Sequence, residues 1–350
     1  MSEQVEGRKG GRRFGCLGVA LLVFGLMTLA VVTLVVWFAT TAGGCTIGHG
    51  RAHRTGARLA AGEDDAPSLG EVWSSGSGDT KVVRIPLTGL IFLGEDGGWL
   101  GESAGAAATA LRAIKRATYD PDVEGILLEI DSGGGGITAS DIIYQALLDF
   151  KKAQKGRVVV ALMGDIAASG AYYIALAADR IVAHPTTLTG SIGVIMQTYN
   201  LQELARKVGV KDVTIKSGEN KDLLNPFQEV KTNQLAMIQG VIDAMHSRFV
   251  RLVASSRKLP EEEVRRLADG RVFVADDAVT NKLIDAIGYR ADAEETMADL
   301  LNAEGLHVVR YEEQVSFFDL LRHRPGFGMR LKLSDLLGAE ETRLMYRWSL

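Results

Sequence analysis

The sequence predicts an α/β fold in which a mostly parallel β-sheet is covered by helices on both faces, preceded by one N-terminal transmembrane helix. Three observations predict this architecture. Apolar β-type runs alternate with helical periodicity from residue 81 onward, the predicted strands are apolar almost throughout, and a segment near the start contains 26 consecutive uncharged residues. Strands that are apolar on both faces are typical of parallel sheets, because the connecting helices cover both sides.

The uncharged segment, residues 14–39, is long enough to cross a bilayer. A helix of this length reaches about 39 Å, more than the ~30 Å hydrocarbon core, and it exceeds the usual core of a cleaved signal peptide. Four basic residues directly precede it, and Trp37 and Phe38 lie near its far end. Basic residues favour the cytoplasmic side. We therefore predict a cytoplasmic segment 1–13, a retained single-pass anchor in the inner membrane, and a body on the extracytoplasmic side.

The composition describes a globular body without a nucleic-acid partner. The chain has 350 residues, of which 47% are apolar and 23% charged, and its net charge is −4. Cys16 lies in the predicted anchor and Cys45 just beyond it, so the body contains no internal disulfide. His and Cys residues form no cluster with ligand spacing in the sequence, and no metal or cofactor is expected.

The predicted elements follow a linker of residues 40–80, which is rich in Gly, Ser and charged residues and is expected to be flexible up to Lys81. Short apolar runs predict the strands, and apolar side chains recurring on one helical face predict the helices. In order, these are a strand at 81–87, a helix at 103–118, a strand at 123–130, a helix at 139–153, a strand at 157–163, a helix opening at Ser169, strands at 180–183 and 212–216, and a long helix at 228–256. Residues 81–310 form the predicted domain, and residues 311–350 form a basic, amphipathic C-terminal tail.

A run of four glycines separates the predicted strand 123–130 from the helix that follows. The stretch reads Asp-Ser-Gly-Gly-Gly-Gly, residues 131–136. Successive glycines turn sharply and leave backbone N–H groups pointing into open space, which suits an anion. A phosphate cradle, an oxyanion hole and a flexible turn all fit this pattern, although the Lys-Ser/Thr pair of a P-loop is absent.

Ser169 lies in the stretch Gly-Asp-Ile-Ala-Ala-Ser-Gly-Ala, residues 164–171, between a predicted strand and an alanine-rich helix. Its hydroxyl is expected among the unpaired N–H groups of the helix start, where the charge of a tetrahedral intermediate is stabilised. The alternative is an ordinary N-cap. The Gly-x-Ser-x-Gly motif of the common hydrolase fold is absent.

A nucleophilic serine needs a base. His184 is the histidine closest in sequence to the glycine loops, so a triad with Asp165 or Asp179 fits the spacing. A lysine is the other option, provided that its surroundings keep it neutral. Lys216 and Lys221 are the candidates, and for each the alternative is a solvated charge.

Four motifs in this order resemble those of the bacterial signal peptide peptidase A family, also called protease IV. They are DSGGGGI from Asp131, GDIAASGAYY from Gly164, TGSIGV from Thr189 and KSGENKD from Lys216, and GRVF from Gly270 with LIDAIG from Leu283 is similar to a further landmark. The resemblance covers about residues 81 to 295. It implies the Clp-protease and crotonase type of fold and a serine–lysine dyad that cuts membrane-derived hydrophobic peptides, such as cleaved signal peptides.

The resemblance also implies roles for individual residues. Ser169 matches the nucleophile, Lys221 the general base, and Ser191 a serine that hydrogen-bonds the lysine. The amides of Gly170 and of the Gly134–Gly135 stretch match the oxyanion hole.

Gly133 departs from the family pattern, which usually has proline there, so the loop is expected to be more flexible. The chain resembles the short, single-repeat form of the family. In that form the lysine serves a neighbouring subunit's serine or lies at the subunit boundary, which implies a ring-like homo-oligomer.

Two other functions use the same fold. One is a non-catalytic crotonase-like scaffold at the membrane, in which the glycines only pack. The other is an acyl-CoA enzyme, which the predicted export disfavours because coenzyme A thioesters are cytoplasmic.

Overall fold

The computed structural model describes residues 69–93, 95–98, 101–312 and 345–347. All of these belong to one unit, Ala60–Leu350. The predicted cytoplasmic segment, the predicted anchor and residues 40–68 of the predicted linker lie outside the described residues. Among the residues that are described, none of the helices combines the length and the apolar character needed to cross a membrane.

The described strands, in chain order, are β1 Gly70–Ser75, β2 Thr80–Thr88, β3 Glu95–Gly98, β4 Gly101–Ala104, β5 Val123–Ser132, β6 Gly134–Gly136, β7 Val158–Ala168, β8 Arg180–Ala183, β9 Leu188–Gly190, β10 Val272–Val274, β11 Ala286–Ile287, β12 Leu306–Glu312 and β13 Met345–Arg347. The helices are α1 Ala106–Tyr119, α2 Ile137–Ala153, α3 Gly170–Ala175, α4 Gln202–Val208, α5 Thr232–Arg257, α6 Glu261–Leu267, α7 Ala275–Thr280 and α8 Arg290–Leu301.

Nine strands form the central sheet, in the order β1-β12-β2-β5-β7-β8-β11, with β9 beside β7 and β10 beside β9. The pairs β1–β12 and β9–β10 are antiparallel, and the other pairs in this sheet are parallel. Two smaller sheets pair β3 with β4 and β6 with β13. The predicted mostly parallel sheet is therefore confirmed.

Helices cover both faces of this sheet, as predicted. Alternate residues of β5 point to opposite faces: Leu128 belongs to the larger apolar core, whereas Leu127 belongs to the smaller one. The larger core includes Ile114 of α1 and Phe249 of α5. The smaller core includes Met297 of α8. Both faces are buried because the parallel crossovers place helices on each side.

Two local predictions are wrong. Residues 212–216 form no strand, and Val213 and Ile215 are 82% and 97% exposed, so this alternating stretch has no neighbouring strand in the described chain. Ordered structure does not begin at Lys81, because β1 already lies within the predicted linker and pairs with β12. In both places, whether a strand forms depends on a partner that is distant in sequence.

Candidate active site

Ser169 lies at the junction between β7 and α3. The strand β7 pairs with β8 through Val160–Met163 and then with β9 through Ile166–Ala168. Ser169 directly follows the carboxyl end of β7. The Ser169 N–H donates to Gly190 O at 2.8 Å, and Ser169 O accepts the N–H of Tyr173 at 2.9 Å. Strand pairing on one side and the first helical turn on the other therefore hold this residue.

The backbone of Ser169 is strained. Its φ is 56° and its ψ is −116°, which lies in a region that residues with a side chain rarely adopt. Such conformations cost about 1–3 kcal/mol and persist where the surrounding structure imposes them, often at functional sites. Here the strain marks a residue whose side-chain position is set by its neighbours.

The Ser169 side chain does not cap the helix. It makes no capping hydrogen bond, and its Oγ is buried without a hydrogen-bond partner. A buried hydroxyl without a partner loses the free energy of its hydrogen bonds to water. The ordinary N-cap reading is therefore wrong, and the hydroxyl remains available for chemistry.

Three residues of the glycine run, Gly134–Gly136, form the short strand β6, which contacts α3. The backbone of Ile91 pairs with one edge of β6: its N–H donates to Gly134 O at 3.0 Å, and its carbonyl accepts the Gly136 N–H at 2.9 Å. Gly134 has a φ of 101°, in the left-handed region that glycine adopts without cost. The flexible-turn reading of this run is wrong, because the glycines are a hydrogen-bonded strand.

The candidate oxyanion amides differ in their surroundings. The Gly134 N–H donates to Ser132 Oγ at 3.0 Å, and this hydroxyl donates to Gly89 O. Gly170 is the first residue of α3, so its N–H has no acceptor within the helix. Because Gly134 O and Gly136 N face Ile91, the polar groups of Gly135 face the opposite edge of β6. Gly170 is therefore the candidate amide without an acceptor in its own helix, and Gly135 faces the edge of β6 that pairs with β13.

We expect Gly135→Ala to distort β6 and lower stability. A Cβ at this position would lie 2.4 Å from Ile91 O, a backbone atom that cannot rotate away. Overpacking of this kind costs about 1–3 kcal/mol. Thermal unfolding measures the loss. In the matched control Gly240→Ala, a Cβ would meet no atom within 4 Å on the exposed surface of α5, so stability should hold or rise. Equal unfolding temperatures for wild type and Gly135→Ala would contradict the close packing.

Ser191 follows β9 as Ser169 follows β7. The register pairs Ala168 with Gly190, so the two serines leave adjacent strand ends. Ser191 is buried, has a φ of 49°, and donates its N–H to Arg271 O at 2.8 Å. The structure thus brings these two predicted site residues to the same place. The sequence motif contained Gly190, but only the strand pairing shows that its carbonyl holds the Ser169 backbone.

Whereas Ser169 is buried, Lys221 lies at the surface of the single chain. It is exposed, in a turn within residues 209–231, which form neither helix nor strand. Lys216, the other lysine candidate, pairs with Asp222 Oδ1 at 2.6 Å, and this hydrogen bond lowers the pKa of Asp222. Lys216 is thus engaged by Asp222. Because Ser169 Oγ has no hydrogen-bond partner, the described chain does not form the serine–lysine contact by itself.

Within the described residues, His184 does not form a catalytic triad with Ser169. The His184 ring packs against Tyr289, with 5.4 Å between ring centroids, and does not bind Ser169 Oγ. Asp179 accepts from the Val159 N–H at 2.9 Å, at the start of β7, so it lies at the opposite end of the strand from Ser169.

The C-terminal strand β13 pairs with the edge of β6 that faces away from Ile91. The pairing is antiparallel, with Tyr346 opposite Gly135 and Arg347 opposite Gly134. β13 also contacts α3. An extended backbone therefore pairs with the glycine strand next to α3, the helix that follows Ser169.

An apolar cleft of about 480 Å³ opens beside β6. Gly136 forms part of its wall, and the apolar side chains lining it are Phe92, Leu93, Ile137, Ala139, Ile142 and Met245. Such a lining favours an apolar side chain over a charged one.

Residues 151–304 match peptidase family S49. A protein of Enterococcus faecium named as a signal peptide peptidase SppA is 33% identical over 248 residues, covering 71% of this chain and 72% of that protein. A protein of Synechocystis named as a protease is 37% identical over 265 residues, covering 75% and 89%.

Protease 4 of Salmonella typhi is 31% identical over 74% of this chain, which spans 41% of that longer protein. A solved structure of a ClpP1 mutant from Listeria monocytogenes aligns with a TM-score of 0.39 at 17% identity, covering 60% of this chain and 93% of that chain. The relatives confirm the predicted family resemblance. The chain belongs to peptidase family S49, a family of serine peptidases.

Proposed function

We propose that this protein is a membrane-anchored serine endopeptidase that degrades cleaved signal peptides and similar hydrophobic peptides, with Ser169 as nucleophile and Lys221 as general base. The observation that carries the proposal is the buried hydroxyl of Ser169, which has no hydrogen-bond partner at a strained strand–helix junction beside a glycine strand. No cofactor takes part in the mechanism.

In this mechanism neutral Lys221 accepts the Ser169 proton as Oγ attacks the peptide carbonyl. The Gly170 N–H and an amide of β6 stabilise the oxyanion, and Ser191 orients the lysine. The C–N bond then breaks, and the leaving amine takes the proton from Lys221. Water, deprotonated by the same lysine, attacks the acyl-enzyme, releases the acid and restores the hydroxyl.

The lysine of this dyad comes from a second copy of the chain in a ring-like homo-oligomer. Residues 199–235, which include Lys221, expose many large apolar side chains, more than a monomer normally presents to water. They include Tyr199, Leu204, Val208, Val210, Val213, Ile215 and Leu235. Docking this surface on a neighbour would bury it, partly desolvate Lys221 and favour its neutral form.

Substrate peptides bind as an extended strand on the edge of β6 that β13 covers, and they take the place of β13. The backbone of β13 already pairs there, and the adjacent cleft is apolar. Backbone pairing supplies affinity for any extended peptide, and the cleft adds a preference for apolar side chains. The uncharged segment 14–39 would hold this site close to the membrane surface, where hydrophobic peptides accumulate.

We expect removal of residues 345–350 to lower the KM for an extended apolar peptide at least about threefold, because a competing strand no longer covers β6. Steady-state kinetics on the truncated protein measure the change. Adding the hexapeptide Met-Tyr-Arg-Trp-Ser-Leu, the sequence of the removed residues, should raise the KM again. An unchanged KM after truncation would show that β13 does not compete with substrate.

A fluorophosphonate probe tests the proposed function, because it reacts only with an activated serine. We expect the detergent-solubilised full chain to be labelled at Ser169, identified by mass spectrometry of the modified peptide, and an apolar peptide to block the labelling. A scaffold protein would remain unlabelled. Protection by an acyl-CoA instead of the peptide would favour the acyl-CoA enzyme.

A further inference from the structure

Three elements of the proposed active site meet at one carboxylate oxygen. Asp141 Oδ1 accepts the Tyr173 hydroxyl at 2.6 Å and an N–H of the Arg248 guanidinium at 2.7 Å. These residues belong to α2, α3 and α5, three helices whose buried apolar side chains share one core.

Each of the three helices directly follows, in the chain, one segment that takes part in the proposed reaction. α3 begins at the residue after Ser169, and α2 begins at the residue after β6. α5 begins directly after residues 209–231, the segment that carries Lys221. The shared oxygen therefore links the nucleophile, the oxyanion strand and the segment that presents the base.

The aromatic rings around Tyr173 make this link stiff. The Tyr173 side chain is buried, its ring lies 5.5 Å from the Tyr144 ring and 5.2 Å from the Phe249 ring, and its hydroxyl points to Asp141. Tyr173 also donates its N–H to Ser169 O, so the anchored phenol belongs to the helical turn that fixes the serine backbone.

The electrostatics favour an ionised Asp141. Partial burial opposes its charge, but the hydrogen bonds from Tyr173 and Arg248 together lower the pKa of this carboxyl. Burial and the bond to Asp141 raise the pKa of the Tyr173 hydroxyl, so it stays a donor. Charge-assisted bonds of this length are stronger than neutral ones and hold their geometry tightly.

We propose that Asp141 and Tyr173 are positioning residues for the peptidase reaction: they set the relative placement of Ser169, β6 and α5. The inference rests on the proposed function of Ser169. Neither residue touches the reacting atoms, so their loss should slow the chemical step and leave substrate binding nearly intact.

The test compares Tyr173→Phe and Asp141→Ala with wild type in the full chain. For both variants we expect kcat and the rate of fluorophosphonate labelling to fall about tenfold, with KM within about twofold, because small misplacements of reacting groups slow chemistry steeply. Asp141→Asn keeps an oxygen that accepts the Tyr173 hydroxyl and should recover most of the labelling rate.

Tyr172→Phe is the matched control. It removes a buried hydroxyl from the neighbouring residue of the same helix, but that hydroxyl donates to Leu283 O at 2.8 Å and takes no part in the contact at Asp141. Tyr172→Phe and Tyr173→Phe should both lower the unfolding temperature by about 2–4 °C, while only Tyr173→Phe loses kcat.

The outcomes separate this proposal from the proposed function. If wild type is labelled at Ser169 but Tyr173→Phe and Asp141→Ala keep its labelling rate, or if Tyr172→Phe loses kcat equally, Asp141 and Tyr173 are structural only. If wild type is not labelled, the proposed nucleophile is wrong and the positioning role is overturned with it.

Discussion

Ser169→Ala is expected to abolish peptide cleavage, with a loss of at least about 10³-fold in kcat, because the variant has no atom that can form the acyl-enzyme. Cleavage of a fluorogenic apolar peptide measures the loss, and fluorophosphonate labelling should disappear with it. The peptides that accumulate in cells carrying this variant, identified by mass spectrometry, would be the natural substrates.

The Ser169→Ala variant should fold normally. The hydroxyl makes no hydrogen bond in the described chain, and alanine retains the Cβ that already tolerates a φ of 56°. Thermal unfolding should therefore match wild type within about 1 kcal/mol, since no satisfied polar group is lost. Cleavage within about tenfold of the wild-type rate in a correctly folded variant would exclude Ser169 as the nucleophile.

Mixing two inactive variants tests where the lysine acts. Lys221→Ala alone should be as inactive as Ser169→Ala, because no base then accepts the serine proton. If each lysine serves a neighbouring subunit, co-expression of the two variants rebuilds complete sites. Random assembly in equal amounts pairs an intact serine with an intact lysine at about a quarter of the sites, so activity should return to about 25% of wild type.

Lys211→Ala is the control for this experiment. Lys211 is exposed in the same segment as Lys221 and has the same charge, but no role is proposed for it. Its activity should stay near that of wild type. A Lys221→Ala variant that retains wild-type activity would exclude the dyad. If the mixed variants stay inactive while each assembles normally, the lysine acts within its own chain.

Features with a local cause were predictable. The alternation of apolar strands and helices predicted β2, β5, β7 and α2 because each of these patterns depends on residues that are close in sequence. β1 and β12 were not predicted, since these strands form by pairing with each other across more than 200 residues of chain. Residues 212–216 have a strand-like alternation but no partner in the described chain, and so form no strand.

The candidate active site was also predictable only in part. The motifs around residues 131–136 and 164–173 identified Ser169 and the glycine run as candidates, and the order of the motifs indicated the family. Those motifs could not distinguish a helix cap from a nucleophile, since both place a serine before a helix. Nor did the spacing reveal Asp141, whose partners lie 32 and 107 residues away.

The sequence by itself determined the parallel α/β architecture, the uncharged segment near the N-terminus and the identity of the candidate serine, because short-range patterns of side chains encode all three. Only the tertiary structure decided that the Ser169 hydroxyl makes no cap, that Lys221 is exposed on the single chain, and that β13 lies on β6. The physical reason is that strand pairing between distant segments fixes the backbone dihedrals at Ser169 and determines which segment covers each edge of β6. No local sequence pattern contains those pairings.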